Sequence, residues 1–191
     1  MCPTTTYSRE DRPIQEKTAH FTQEQISVAL TRYPILSQSM LAAVVNAPQE
    51  SLLHAREALL QQHCIVALPP PPGRRSSYRY LLERYHTVLQ PFYDPLYQRD
   101  NTLLGMVVGR LRLYPLLSPS LLLIALTNVP RFLIEDALRE GKEQQIIAER
   151  SAWQDKRTAT RYYLREYEPL LLPLFLQEKT AIISSEGSPH V

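Results

Sequence analysis

Residues 73–85 read GRRSSYRYLLERY and follow four consecutive prolines, Pro69 to Pro72. Alone, the stretch fits a nucleic-acid patch, an unfolded basic segment or part of a folded element. A second copy decides between them. RYLLERY, Arg79 to Tyr85, returns as RYYLREY, Arg161 to Tyr167. RYPILSQS from Arg32 meets LYPLLSPS from Leu113, and VNAP ending at Pro48 meets TNVP ending at Pro130. CIVA from Cys64 meets QIIA from Gln145, and Pro91 falls opposite Pro173. Five matches in order at a shift of 81 or 82 residues indicate one unit written twice.

Each unit carries its own start and stop signals. In HFTQEQISVALTRYP, Thr22 and Gln25 have the spacing of a capping box, with Phe21 and Ile26 spaced as a hydrophobic staple. Ile26, Ala29, Leu30 and Tyr33 follow at helical spacing, and Pro34 stops the helix. ILS reads as an extended link. Ser37 then caps a second helix; in the second copy Ser118 caps and Pro119 takes the first helical position. Pro48 opens a third helix with an apolar line of Leu52, Ala55, Leu59 and Leu60. CIVAL and YRYLL then read as strands around a loop stiffened by polyproline, and QIIAE and TRYYL repeat the pair. Alternating Tyr78 and Tyr80 share a strand face, and Tyr85 starts a helix leaving the hairpin.

Helix, extended link, helix, turn, helix and two-stranded hairpin is an order that resembles a winged helix-turn-helix. The expected fold is therefore mainly α with small β-hairpins, an α+β chain of two winged-helix units related by internal duplication. Residues 1–19 are expected to be a flexible leader, 20–100 and 101–177 the two units with their trailing helices, and 178–191 a flexible tail. The chain departs from the family's pattern at the turn before the first wing strand. The family often has Gly there, whereas His63 or Gln144 stands near that point.

Composition narrows the function classes. The 191 residues are 44% hydrophobic, which suits a globular core. Five glycines against sixteen prolines leave little material for glycine-rich phosphate loops. Cys2 and Cys64 lie far apart, which favours a reducing compartment over a disulfide framework, and Cys64 opens an apolar strand where burial is expected. Residues 113–134 are long enough to span a membrane, but Pro115, Pro119, Pro130, Asn128 and Arg131 argue against it. No nucleophile–base pair or metal-ligand spacing emerges from His20, His54, His63, His86 and His190. A non-enzymatic protein without cofactor, metal, membrane or small-molecule substrate is expected, in the cytoplasm and nucleoid-associated if it binds DNA.

The resemblance implies duplex DNA as a partner, through two sets of residues. Arg74, Arg75 and Arg79 in the first wing, and Lys156, Arg157 and Arg161 in the second, are placed to neutralise phosphates. Gln49, Ser51 and His54 begin the third helix, where such proteins read base edges. Against this, Glu50 and the run Glu135, Asp136 and Glu140 would repel phosphate. The net charge of +2 does not by itself imply nucleic acid. Tandem winged helices also serve as non-catalytic interaction subunits, as in bacterial condensin accessory proteins, and that alternative stays open. For it, Leu170, Leu171, Leu174 and Phe175 offer an apolar run that packs the copies together or binds a partner or second chain. Trp153 in the second wing loop can stack, anchor a partner or plug the core.

Overall fold

A computed structural model of the chain describes residues 12–70, 78–93, 101–151 and 160–176, with side chains from Thr22 onward. The chain is α+β: helices carry most of the core and small antiparallel sheets stand at its edge. Helix α1 (Arg12–Arg32) leads through strand β1 (Leu36–Ser37) into α2 (Gln38–Val45) and α3 (Gln49–Gln61), then β2 (Ile65–Leu68) and β3 (Arg79–Leu82). The second half runs α4 (Leu103–Leu113), α5 (Pro119–Ala125), α6 (Arg131–Glu143), β4 (Ile147–Ser151) and β5 (Thr160–Leu164). A last helix, α7, covers residues 168–176.

Local chemistry explains most boundaries. The Ser37 side chain accepts a hydrogen bond from the Met40 amide, and Ser118 accepts from Leu121 with Pro119 at the first turn. Both satisfy helix-end donors that would otherwise be unpaired. Asn46 ends α2 in the left-handed conformation at φ 52°, and Asn128 takes φ 76° in the matching turn. Asparagine tolerates that region better than most side chains. The stretch 113–134 is broken by its prolines into α5 and the start of α6, and no helix among the described residues is long and apolar enough to cross a membrane.

Several sequence expectations need correction. Thr22 does not cap α1; the helix already runs from Arg12, and Thr22 is buried in its interior. Pro13 falls in the first turn, where its missing N–H has no intrahelical partner to lose, so nothing stops the helix from starting early. Residues 12–19 are thus helical and not part of a leader. The ILS link is a strand: Leu36 and Ser37 pair with Tyr80 and Arg79, making a three-stranded sheet in the order β1-β3-β2. In the second half the same position makes a single bridge, Leu117 to Tyr162. Cys64 precedes its strand and is exposed. After the first hairpin, the trailing segment is two short 3-10 turns, Glu83–Tyr85 and Gln90–Phe92, and not one helix, because Pro91 interrupts it.

The hairpins also shift one sequence match. Ile65 pairs with Leu82, and Ile147 pairs with Leu164. Ile65 therefore corresponds to Ile147, and His63 to Gln145, one residue later than the CIVA–QIIA alignment. Both His63 (φ 53°) and Gln145 (φ 60°) are left-handed.

The core is continuous across both halves. It runs from Ile26, Leu30 and Leu41 in the first to Leu111, Leu122 and Leu164 in the second. Helix α2 packs on α5 where the halves meet, and Phe92 stacks edge-on against Tyr167 with ring centroids 4.6 Å apart.

Candidate interaction surfaces

The third helices present mixed and acidic faces. On α3, Gln49 and His54 are exposed and Ser51 is half-buried, all within the first two turns of the helix. His54 Nε2, however, sits 3.9 Å from Glu50 Oε1 one turn earlier. Arg56 is turned away from this face: it donates to Gln38 Oε1 at 2.7 Å and stacks over Tyr80. On α6, Arg131 donates to Glu135 at 2.7 Å and Arg139 to Asp136 at 2.5 Å. Lys142 donates to Glu149 at 2.9 Å, and that hydrogen bond raises its pKa above the ordinary lysine value. Exposed pairs like these contribute about 0–1 kcal/mol. Their effect is on the field: each cation of α6 is matched by a carboxylate beside it, with Glu140 and Glu143 left over on the same helix.

The six basic residues expected to contact phosphate do not share one fate. Arg79 and Arg161 are 2% and 1% exposed, which removes them from any phosphate-contacting surface. Arg79 donates through Nη1 to the carbonyls of Phe92 (3.0 Å) and Leu113 (3.2 Å), and through Nη2 to that of Tyr93 (2.8 Å). Arg161 donates through Nη1 to the carbonyl of Arg32 at 2.9 Å. On β5 the reason is strand geometry: side chains two apart share a face, so Arg161 points with Tyr163 into the core while Tyr162 stays half-buried. β3 lies between β1 and β2 and is buried at all four positions, so Arg79 is covered whichever face it takes. Alternation is therefore a signal for Arg161, which its basic neighbours conceal, and not for Arg79. Arg74, Arg75, Lys156, Arg157 and Trp153 lie outside the described residues.

The apolar run near the end of the chain divides by helical face. Leu171, Leu174 and Phe175 are buried within the chain itself, with Phe175 edge-on to Tyr163 and under Arg150. They hold α7 to the second half and are not available to a partner, which corrects their assignment as a binding surface. Leu170 is half-buried. The outward face was not foreseen: Pro169, Leu172, Pro173 and Leu176 are all exposed, Leu172 at 49% and Leu176 at 57%. Their spacing of i, i+3, i+4 and i+7 makes one stripe. Beside it lies an open groove of about 510 Å³ lined by Thr87, Val88, Gln90, Pro91, Pro169, Leu170 and Pro173. Among the described residues, none of that lining is charged. Five further large exposed apolar residues among those described, Val28, Leu53, Tyr78, Phe132 and Ile146, stand apart from it in sequence.

Among the described residues, no group of three or more His, Cys, Asp or Glu side chains is placed to hold a metal ion. Burial raises the pKa of several tyrosines; Tyr93, whose hydroxyl donates to the His86 carbonyl at 2.6 Å, is pushed up to about 12 by burial first and Glu83 second. The chain matches no protein-family model, and no curated protein is significantly similar to it in sequence.

Proposed function

We propose that this protein is a non-enzymatic interaction subunit made of two winged-helix units that arose by internal duplication, and that it binds another protein through α7 and the adjoining groove. The duplication is supported by features that recur at a shift of 81 or 82. These are the serine caps, the left-handed Asn46 and Asn128, the left-handed His63 and Gln145, and the strand arginines. One observation carries the choice of partner. Helix α7 is apolar on its buried face and again on its outward face, and a helix apolar all round is normally covered on both. A groove whose described lining carries no charged side chain, beside that stripe, suits an apolar polypeptide segment and offers phosphate no cation.

Duplex DNA is the second reading, favoured by Arg74, Arg75, Lys156 and Arg157 in the two wing loops. It has lost two of its six wing contacts to the core, and the third helices supply few unpaired cations. The test of the first reading is to co-purify the partner with the full chain, reconstitute the pair from purified components, and titrate by calorimetry. Leu172→Glu and Leu176→Glu, both at exposed sites, are expected to weaken binding at least about tenfold while leaving the circular dichroism spectrum unchanged. An unchanged dissociation constant in both variants would refute the assignment of this face.

A further inference from the structure

Arg79 lies in the first half, yet one of its acceptors is Leu113, the last residue of α4 in the second half. Arg161 lies in the second half, and its acceptor is Arg32, the last residue of α1 in the first. The arginines are 82 residues apart and the acceptors 81 apart, so the same contact is made twice in opposite directions. We infer that Arg79 and Arg161 form a reciprocal clamp, each closing the C-terminus of the other half's first helix, and that the halves face each other across a pseudo-two-fold axis as one rigid body.

The physical chemistry of each arm is the same. The last carbonyls of a helix have no intrahelical donor and carry the negative end of its dipole. A buried guanidinium meets both needs, because it is always charged and donates in a fixed planar fork. Arg79 uses that fork to tie Leu113 to Phe92 and Tyr93 of its own trailing segment.

Reciprocity is the mark of a two-fold contact, in which residue i meets j and j meets i, whereas head-to-tail repeats join unlike surfaces. Two other features agree with an axis between the halves. Helix α2 packs on α5, and these are counterparts in the two halves. Six of the seven groove residues form matched pairs, Thr87 with Pro169, Val88 with Leu170 and Pro91 with Pro173, each 82 apart. Identical surfaces meeting themselves are found on a two-fold axis and nowhere else in such a pair. The clamp does not depend on what the protein binds.

The test uses the full chain with Cys2→Ser, spin-labelled at exposed Cys64 and at Ile146→Cys at the start of the second hairpin. With both arginines present, a single narrow distance distribution and one urea transition are expected. Arg79→Met and Arg161→Met, separately, should each broaden the distribution and split unfolding into two transitions with about half the wild-type denaturant dependence apiece. Should a methionine variant not fold, Arg79→Lys and Arg161→Lys serve, since a lysine cannot span the same fork. Folded variants that keep the narrow distribution and a single transition with the wild-type slope would overturn the clamp, leaving the arginines as local core residues.

Discussion

Gly141→Ala exposes how tightly α6 is set against its neighbours. In an exposed helix the change would gain about 1 kcal/mol from propensity alone. Here a Cβ at Gly141 would lie 2.5 Å from Ile147 Cδ1, 2.9 Å from Ile147 Cγ1 and 3.0 Å from Leu104 Cδ1. Carbon atoms pack favourably at about 3.5–4.0 Å, so roughly an ångström of clearance must be found. Ile147 has little freedom to give it, being 1% exposed, β-branched and pinned by its pairing with Leu164. Leu104 sits on α4, which packs along α6. Overpacking of this kind costs about 1–3 kcal/mol, and set against the propensity gain it leaves an expected net loss of about 0–2 kcal/mol. Urea unfolding followed by far-ultraviolet circular dichroism measures it. Ile147→Val removes Cδ1 and should recover part of the loss in the double variant, giving a coupling of about 0.5–1.5 kcal/mol. A Gly141→Ala protein stabilised by the full propensity gain of about 1 kcal/mol would refute the packing described for α6, β4 and α4.

Two more predictions follow from local backbone and burial. His63→Gly and Gln145→Gly should each be neutral to stabilising by up to about 1 kcal/mol, since glycine relieves a left-handed side chain while adding unfolded-state entropy; thermal melts of each variant report the sign. Tyr93 holds its proton to about pH 12 in the folded chain, and burial also raises Tyr80, Tyr162, Tyr163 and Tyr167. The folded state thus binds more protons than the unfolded state above the ordinary tyrosine pKa of about 10, so stability is full below that pH and falls as it rises toward 12. Tyr93→Phe should make that decline shallower in urea titrations between pH 9 and pH 12, although its own neutral-pH stability drops with the lost bond to the His86 carbonyl.

Punctuation made much of the fold legible. Ser37, Ser118, Pro119 and Pro48 mark helix starts by mechanisms that operate within a few residues, and the structure places helices at all of them. TRYYL was bounded correctly because β-branched and aromatic residues cluster there between turn signals. What depended on distant contacts was not legible. Thr22 looked like a cap because its local pattern is that of one, and only the helix already running from Arg12 overrides it. The two residues of β1 are too few to signal a strand without the partner edge of β3. The strand arginines read as basic neighbours of a charged loop, whereas the acceptors shown for Arg79 lie 13, 14 and 34 residues away and that of Arg161 lies 129 away. The apolar outward stripe of α7 was hidden in a run that is apolar at almost every position, where periodicity cannot say which face is buried.

Duplex binding is the most direct arbiter of the proposal that this is a protein-binding subunit and not a DNA-binding one. Fluorescence anisotropy of a labelled random duplex, titrated with the full chain across a range of salt concentrations, reads it. A protein-binding subunit is expected to show a dissociation constant weaker than about 100 µM at physiological salt, at or beyond the weak edge of non-specific binding. Micromolar binding whose logarithm falls with log salt at a slope of about −3.6, as four phosphate contacts by Arg74, Arg75, Lys156 and Arg157 would give, and which disappears when those four are replaced by alanine, would contradict it.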